Sequence, residues 1–244
     1  MPTTPAWPPR SLPRLFVREQ LGERSRVELD GSQANYLGNV MRLGEGAELL
    51  LFDGSSGEWL ARIAEAGKKR MALSVERRTR EAETVPDVWL AFAPVKRAQT
   101  DWLVEKATEL GAARLVPVIT KRTVVERVKL ERLAGIAIEA AEQCGRTRLP
   151  DIAEPVALAR LLEVEGRTLY FADEAGGEPA AAAFKAGAAT ILTGPEGGFT
   201  DEERSAIRSA PGAVAISLGP RILRAETAAL AALAAYMALA GDWR

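Results

Sequence analysis

The feature that most constrains this chain is Thr193-Gly194-Pro195-Glu196-Gly197-Gly198-Phe199-Thr200. It follows Ala189-Thr190-Ile191-Leu192, a short apolar run that predicts a buried strand. It precedes Thr200-Asp201-Glu202-Glu203, where Thr200 and Glu203 have the spacing of a capping box. The unit is therefore strand, glycine-rich turn, helix. Such a loop carries little side-chain bulk, so a ligand can approach its backbone beside the positive end of a helix. The same loop serves equally well as a plain strand-to-helix connection. It is neither GxGxxG nor a P-loop, because no Gly-Lys-Ser/Thr ending is present.

A second stretch repeats this grammar. Val214-Ala215-Ile216-Ser217-Leu218 predicts a strand, followed by Gly219-Pro220-Arg221-Ile222-Leu223-Arg224-Ala225-Glu226-Thr227 and an alanine-rich helix ending near Gly241. In open α/β sheets ligands bind beyond the carboxyl ends of strands, so the two loops are candidate walls of one pocket. Arg221 and Arg224 stand at a helix start, where cations are disfavoured, which suggests a role in binding phosphate or carboxylate. Glu226 fits the same helix dipole for structural reasons alone.

The rest of the chain divides by pattern. Residues 1–13 are proline-rich and read as a flexible tail. Over residues 14–76, strands at Val27-Glu28-Leu29, Glu48–Phe52, Glu58–Ile63 and Met71–Glu76 surround one short helix, Ser32–Met41, and predict a small β-barrel. Residues 77–86 are charged and polar and read as a linker. From Asp87 onward, strands alternate with helices: Asp87–Ala93, Thr100–Leu110, Arg114–Ile119, Glu126–Gln143, Leu158–Leu162, Thr168–Ala172 and Ala180–Ala186, then the two units above. Alternation of this kind predicts a mainly parallel sheet covered on both faces, an α/β domain over residues 87–244.

Composition narrows the chemistry. Basic and acidic residues balance at 32 against 33, so net charge does not announce a nucleic-acid binder. Residues 1–80 carry a mild excess, 13 Lys and Arg against 10 Asp and Glu, compatible with an RNA-facing module. The absence of histidine excludes a Ser-His-Asp triad, a Cys-His pair and a histidine-based zinc site. No metal is expected. Cys144 is the single cysteine, so no intrachain disulfide forms. No signal peptide and no membrane span is expected, which points to a soluble cytoplasmic protein. Lys96-Arg97 and Lys121-Arg122 each follow a predicted strand, where a basic pair either holds a phosphate or is solvated surface. Glu139, Glu142, Gln143 and Arg146 recur at three- and four-residue steps, as a site or as an ordinary surface ion pair.

With these residues in view, the chain resembles the ribosomal RNA small-subunit methyltransferase E family, uridine-N3 methyltransferases of the SPOUT class. The resemblance rests on Lys-Ala-Thr-Glu-Leu-Gly (106–111), Glu-Ala-Ala-Glu-Gln-Cys-Gly-Arg (139–146), Gly-Pro-Glu-Gly-Gly-Phe (194–199) and Leu-Gly-Pro-Arg-Ile-Leu-Arg-Ala-Glu-Thr-Ala (218–228). It runs from Arg14 to the end of the chain. It implies a PUA-like N-terminal barrel that helps hold rRNA and a C-terminal sheet tied in a deep trefoil knot, which general topology rules would not predict. It implies S-adenosylmethionine as cofactor, lined by Thr193, Gly194, Pro195, Glu196, Gly197 and Gly198, by Leu218, Gly219, Ile222 and Leu223, and by the strand end at Phe171-Ala172. It implies a homodimer acting on small-subunit (16S) rRNA, free or assembled, without a membrane. Uracil N3 must lose its proton to become a nucleophile, so Glu139, Glu142 and Glu226 are candidate bases, and Arg221 or Arg224 candidate stabilisers of the anion. Arg14, Arg42, Lys96, Arg97, Arg122, Gln143 and Arg146 are the expected rRNA contacts. The chain departs from the family near Asn35-Tyr36, where a histidine is often found. A SPOUT enzyme acting on another RNA or on ribose 2′-OH, and a non-catalytic RNA-binding module, are the competing expectations.

Overall fold

The structure is a computed structural model that describes residues 12–67, 70–125 and 127–243. The expected tail lies outside the described residues as far as position 11, and so does Glu126, the expected start of the long helix. The chain forms two compact units. One runs to Glu83 and includes Gly145–Arg148; the other comprises Thr84–Cys144 and the chain from Leu149 onward.

The first unit is a five-stranded sheet of β1 (Arg14–Phe16), β2 (Arg26–Leu29), β3 (Glu48–Phe52), β4 (Glu58–Ala66) and β5 (Met71–Arg80). The order is β1-β3-β4-β5-β2; β1 runs parallel to β3 and the other pairs are antiparallel. Alternation puts Leu49, Leu51, Ile63, Leu73 and Val75 into one core with Leu15, Val27 and Leu37. The expected helix at Ser32–Met41 forms as α1 (Gly31–Asn35) running into a π-helical turn, Tyr36–Val40. Asp30 starts it: its Oδ1 accepts from the Ser32 and Gln33 N–H groups, both at 2.8 Å. The turn closes with Met41 N–H bonded to Tyr36 O and Arg42 in the left-handed region at φ 55°.

The linker expected from residue 77 begins later, because β5 continues through Arg80. Its registers Trp59↔Arg78 and Glu58↔Arg80 are held by side chains. Arg78 lies over the Trp59 ring, and Arg80 grips Glu58. Glu58 is 5% exposed and collects most of the local charge. Its carboxylate accepts from Arg80 Nε at 3.0 Å, Arg80 Nη2 at 2.8 Å, Arg14 Nε at 2.8 Å and Thr79 Oγ1 at 3.1 Å. The two arginines also donate to the Gly145 and Arg146 carbonyls, and Glu83 receives Arg146 Nε and Arg148 N–H. That network ties 145–148 into this unit.

The second unit is built on β6 (Val88–Phe92), α2 (Arg97–Glu109), β7 (Arg114–Ile119), α3 (Leu130–Cys144), β8 (Asp151–Ile152), β9 (Val156–Ala157), α4 (Leu158–Leu162), β10 (Thr168–Ala172), β11 (Glu178–Pro179), α5 (Ala180–Ala183), β12 (Ala189–Thr193), α6 (Asp201–Ser209), β13 (Ala213–Ser217) and α7 (Ala225–Leu239). Every strand pair is parallel, in the order β11-β13-β10-β12-β6-β7-β8, with β9 also on β7. Strand parity sorts the two faces. Leu90, Phe92, Leu115, Tyr170 and Ile191 pack with α2, α3, α5 and α7. Their neighbours Ala91, Val116, Phe171 and Leu192 pack with α4, α6 and Phe199. The helix expected over Ala180–Ala186 stops at Ala183, because Phe184 turns extended and drives its ring edge-on to Tyr170 and Tyr236.

Burial alone would raise the Glu58 pKa, but the hydrogen bonds and charges of Arg80 and Arg14 prevail and hold it below its ordinary value of 4.5. A carboxylate that titrates lower in the folded chain stabilises it fully above the unfolded value, and that support is lost as pH falls through the folded one. Glu58→Gln is expected to cost about 3–5 kcal/mol at pH 7, because it removes the buried negative charge that Arg14 and Arg80 both face. In urea denaturation the gap to wild type should narrow as pH falls below 4.5.

Candidate functional site

The carboxyl ends of β10, β12 and β13 open into a cavity of about 800 Å³. The order of the sheet places it there. The chain goes from β12 to β13 by passing over β10, so three strand ends that are not all consecutive lie side by side.

The first wall is the loop leaving β12. Gly198 N–H bonds to Pro195 O at 2.8 Å, and Gly198 takes φ 68°, a conformation that favours glycine. Phe199, 2% exposed, tucks beneath the loop, its ring 3.2 Å from where a Cβ on Gly194 would stand. The predicted capping box forms: Thr200 Oγ1 accepts from Glu203 N–H at 3.2 Å, and Glu203 Oε2 from Thr200 N–H at 3.0 Å. A Thr200 hydrogen bond, with the charges of Arg122 and Lys121 nearby, holds the exposed Glu202 carboxyl below its ordinary value.

The second wall runs from Ile216 to Arg224, and Ala225 and Ala228 of α7 close the cavity beneath it. The third is Ala172–Gly176 after β10. Asp173 anchors this wall. It is buried, its Oδ2 accepts from Arg208 Nη2 at 2.6 Å, its Oδ1 accepts from Ala175 N–H at 2.9 Å, and Arg204 Nε lies 3.1 Å away. Next to it Gly177 crosses β13 so closely that a Cβ would lie 2.4 Å from Ala215 O.

Most of the expected cofactor residues line this cavity: Ala172, Thr193, the loop Gly194–Gly198, and Leu218, Gly219, Ile222 and Leu223. Phe171 does not. Parity turns it into the opposite core with Leu192 and Ile207, under the guanidinium of Arg208.

Among the expected catalytic residues, Arg221 and Arg224 line the cavity and are exposed, and neither has an ion-pair partner among the described residues. Glu226 is absent from the lining. At about 100° per residue it shares a stripe with Leu230, Leu233 and Met237, which face the core, whereas Ala225 and Ala228 face the cavity. It is 8% exposed, and its Oε2 has no hydrogen-bond partner. Glu139 is exposed and Glu142 half-buried on α3, outside the lining residues.

The expected RNA contacts scatter. Arg14 and Arg146 have largely buried side chains in the first unit, their charges engaged by Glu58 and Glu83. Arg42, Lys96, Arg97 and Gln143 are exposed. Arg122 is exposed too, but it donates to Gly197 O. Asp173 is the residue that sequence reasoning missed; its signal was an acidic residue directly after a strand, followed by Gly176-Gly177. Among the described residues no acidic or cysteine cluster could hold a metal, and no helix is long and apolar enough to cross a membrane.

Comparison with known proteins matches this architecture. An RNA methyltransferase domain family matches residues 81–237, and an RNA methyltransferase PUA domain matches residues 29–76. The ribosomal RNA small subunit methyltransferase E of Rickettsia conorii is 33% identical over 227 residues, covering 91% of this chain and 93% of the relative. The chain belongs to the ribosomal RNA small subunit methyltransferase E family. Its Bacillus subtilis member is 30% identical over 238 residues, covering 90% of this chain and 93% of that one. The crystal structure of a methyltransferase E from Neisseria gonorrhoeae, bound to S-adenosyl methionine, is similar with a TM-score of 0.87 and 31% identity over 96% of this chain and 100% of that one. A Legionella pneumophila methyltransferase with bound cofactor SAM gives 0.88 and 30% over 95% and 99%.

In this member of the methyltransferase E family the third wall depends on Gly177. Gly177→Ala is expected to destabilise the protein by about 1–3 kcal/mol, since backbone must move to admit the methyl group. A thermal melt would register it as a lowered Tm.

Proposed function

We propose that this protein transfers a methyl group from S-adenosylmethionine to N3 of a uridine in small-subunit (16S) rRNA. The observation that carries the reading is the cavity itself, glycine-walled at three parallel strand ends and bordered by two guanidiniums with no ion-pair partner among the described residues. Membership of the methyltransferase E family supports the same substrate class.

The residues fit the cofactor. A cavity of about 800 Å³ falls in the range of small-molecule sites. Leu218, Ile222 and Leu223 offer apolar surface for a purine, while the Gly194–Gly198 and Asp173–Gly176 backbones offer hydrogen-bonding groups for polar ends. Bound there, S-adenosylmethionine would supply an electrophilic methyl on a sulfonium, with a neutral thioether as leaving group.

The chain's own task is to make uracil N3 nucleophilic. Arg221 and Arg224 place positive charge where the N3 anion develops, and so favour release of its proton. Glu196 is the acceptor best placed for that proton. It lines the cavity and has no ion-pair partner among the described residues, whereas Asp173 and Glu174 are held by Arg204 and Arg208. Glu139, Glu142 and Gln143 on α3 lie outside the lining of this cavity; we take the enzyme to be a homodimer, in which they would serve the site of the second chain. The first unit, residues 14–76 with the extension of β5, would hold rRNA, with Arg42 among its phosphate contacts. Lys96 and Arg97 would serve the same end from the second unit, whose knot we infer from the SPOUT class.

Titration calorimetry with S-adenosylmethionine tests the pocket. A micromolar-range constant, about −8 kcal/mol, is expected for wild type and a loss of at least tenfold for Ala228→Leu, which fills the cavity from a helical position. Nucleoside mass spectrometry after reaction with small subunits lacking the modification should show a base-methylated uridine; a 2′-O-methyl product would overturn the N3 assignment. Glu196→Gln is expected to lower kcat at least tenfold while cofactor affinity stays within threefold. An equal loss in both would make Glu196 a cofactor contact instead.

A further inference from the structure

Arg122 has the sequence setting of a phosphate contact, yet its side chain is turned onto the glycine loop. It stands at the tip of a turn after β7 that two threonines hold rigid. Thr120 N–H donates to Thr123 Oγ1 at 2.9 Å, the two hydroxyl oxygens are 2.9 Å apart, and Thr123 N–H returns to Thr120 O at 3.2 Å. From that tip Arg122 Nη1 donates to Gly197 O at 2.5 Å and reaches Phe199 O at 3.4 Å. Its aliphatic stem covers Gly197, where a Cβ would stand 3.3 Å from Arg122 Cδ.

The neighbouring residue makes a second fastening. Lys121 N–H donates to Glu203 Oε1 at 2.7 Å, and Glu203 Oε2 is the oxygen that closes the capping box on Thr200. One carboxylate thus joins the β7 turn to the start of α6. One guanidinium joins the same turn to the loop between β12 and α6.

The glycine loop needs such support. Gly194, Gly197 and Gly198 have no side chains with which to pack, and Glu196 and Gly197 are exposed. Glycine loses more conformational freedom on ordering than any other residue. A hydrogen bond from a charged guanidinium to a carbonyl is of the stronger kind, and two carbonyls within reach of one nitrogen fix the direction of the loop.

We propose that Arg122 is a positioning residue for the cofactor loop, holding Gly197–Phe199 in the shape that receives S-adenosylmethionine, with Glu203 fixing the turn that carries it. The inference rests on the cofactor reading above. It gives Arg122 a role that sequence position alone would assign to rRNA phosphate.

The two roles separate on cofactor affinity against RNA affinity. Arg122→Ala is expected to raise the Kd for S-adenosylmethionine at least tenfold in calorimetry, with the KM for small subunits and its salt dependence within twofold of wild type. In hydrogen exchange without cofactor, the amides of Glu196–Phe199 should exchange at least tenfold faster than in wild type. Arg122→Lys should recover only part of the affinity, because an ammonium cannot reproduce the planar fork. Glu203→Gln leaves Arg122 in place and is expected to shift cofactor Kd in the same direction; an unchanged Kd counts against the clasp. If Arg122→Ala binds cofactor normally, exchanges normally and loses rRNA affinity with a salt slope reduced by about one, Arg122 is a phosphate contact and the inference fails. A wild-type protein that binds no S-adenosylmethionine overturns the cofactor reading and this inference together.

Discussion

The second unit depends on a parallel sheet buried on both faces. Once helices cover both sides, side-chain parity leaves each strand residue only two destinations, one core or the other. Leu192 and Ile191 are adjacent in sequence and lie in different cores. The backbone then meets open space chiefly at the strand ends, and at the carboxyl edge it does so with loops instead of helices. Because β10 lies between β13 and β12, three of those loops converge. The cavity is a consequence of strand order, and the glycines allow it to be wide enough to use.

Much of this was legible in the sequence because its signals are local. Arg114–Ile119, Thr168–Ala172 and Glu48–Phe52 form strands over the residues expected, and the Thr200–Glu203 box forms as its spacing requires. The two loops with Gly-Pro announced themselves as walls. Local signals failed where a distant partner decides. Residues 77–80 look like linker, yet they become strand because Glu58 and Trp59 on β4 hold Arg80 and Arg78. The two-residue strands β8, β9 and β11 are too short to have a period.

Arginine was the least legible residue type. Arg14, Arg42, Arg122 and Arg146 look alike as exposed cations in sequence and have three different fates. Arg14 and Arg146 sit in buried ion pairs, Arg42 closes a helix in the left-handed region, and Arg122 holds a loop. What distinguishes them is where carboxylates and free carbonyls lie in space. Phe171 and Glu226 differ in kind, because local periodicity decides where they lie. A two-residue period puts Phe171 on the far side of the sheet from its neighbours Tyr170 and Ala172. A 100° step puts Glu226 among the leucines of α7.

Without histidine, a carboxylate, lysine or tyrosine that takes part in proton transfer has an ordinary pKa far from neutrality. Toward uracil N3, the proposed target, a carboxylate is a weak base unless the anion formed is itself stabilised. That requirement gives meaning to the charge arrangement around the cavity. Asp173 and Glu174 are both held by arginines of α6, so their negative charge is compensated and shapes the wall. Arg221 and Arg224 have no ion-pair partner among the described residues, although the start of α7 disfavours cations. Positive charge set against a helix dipole carries an electrostatic cost, and an anion bound there would relieve it. Under the proposed N3 reading, the arrangement favours the deprotonated base over the neutral one, the selectivity that methyl transfer to a ring nitrogen would require.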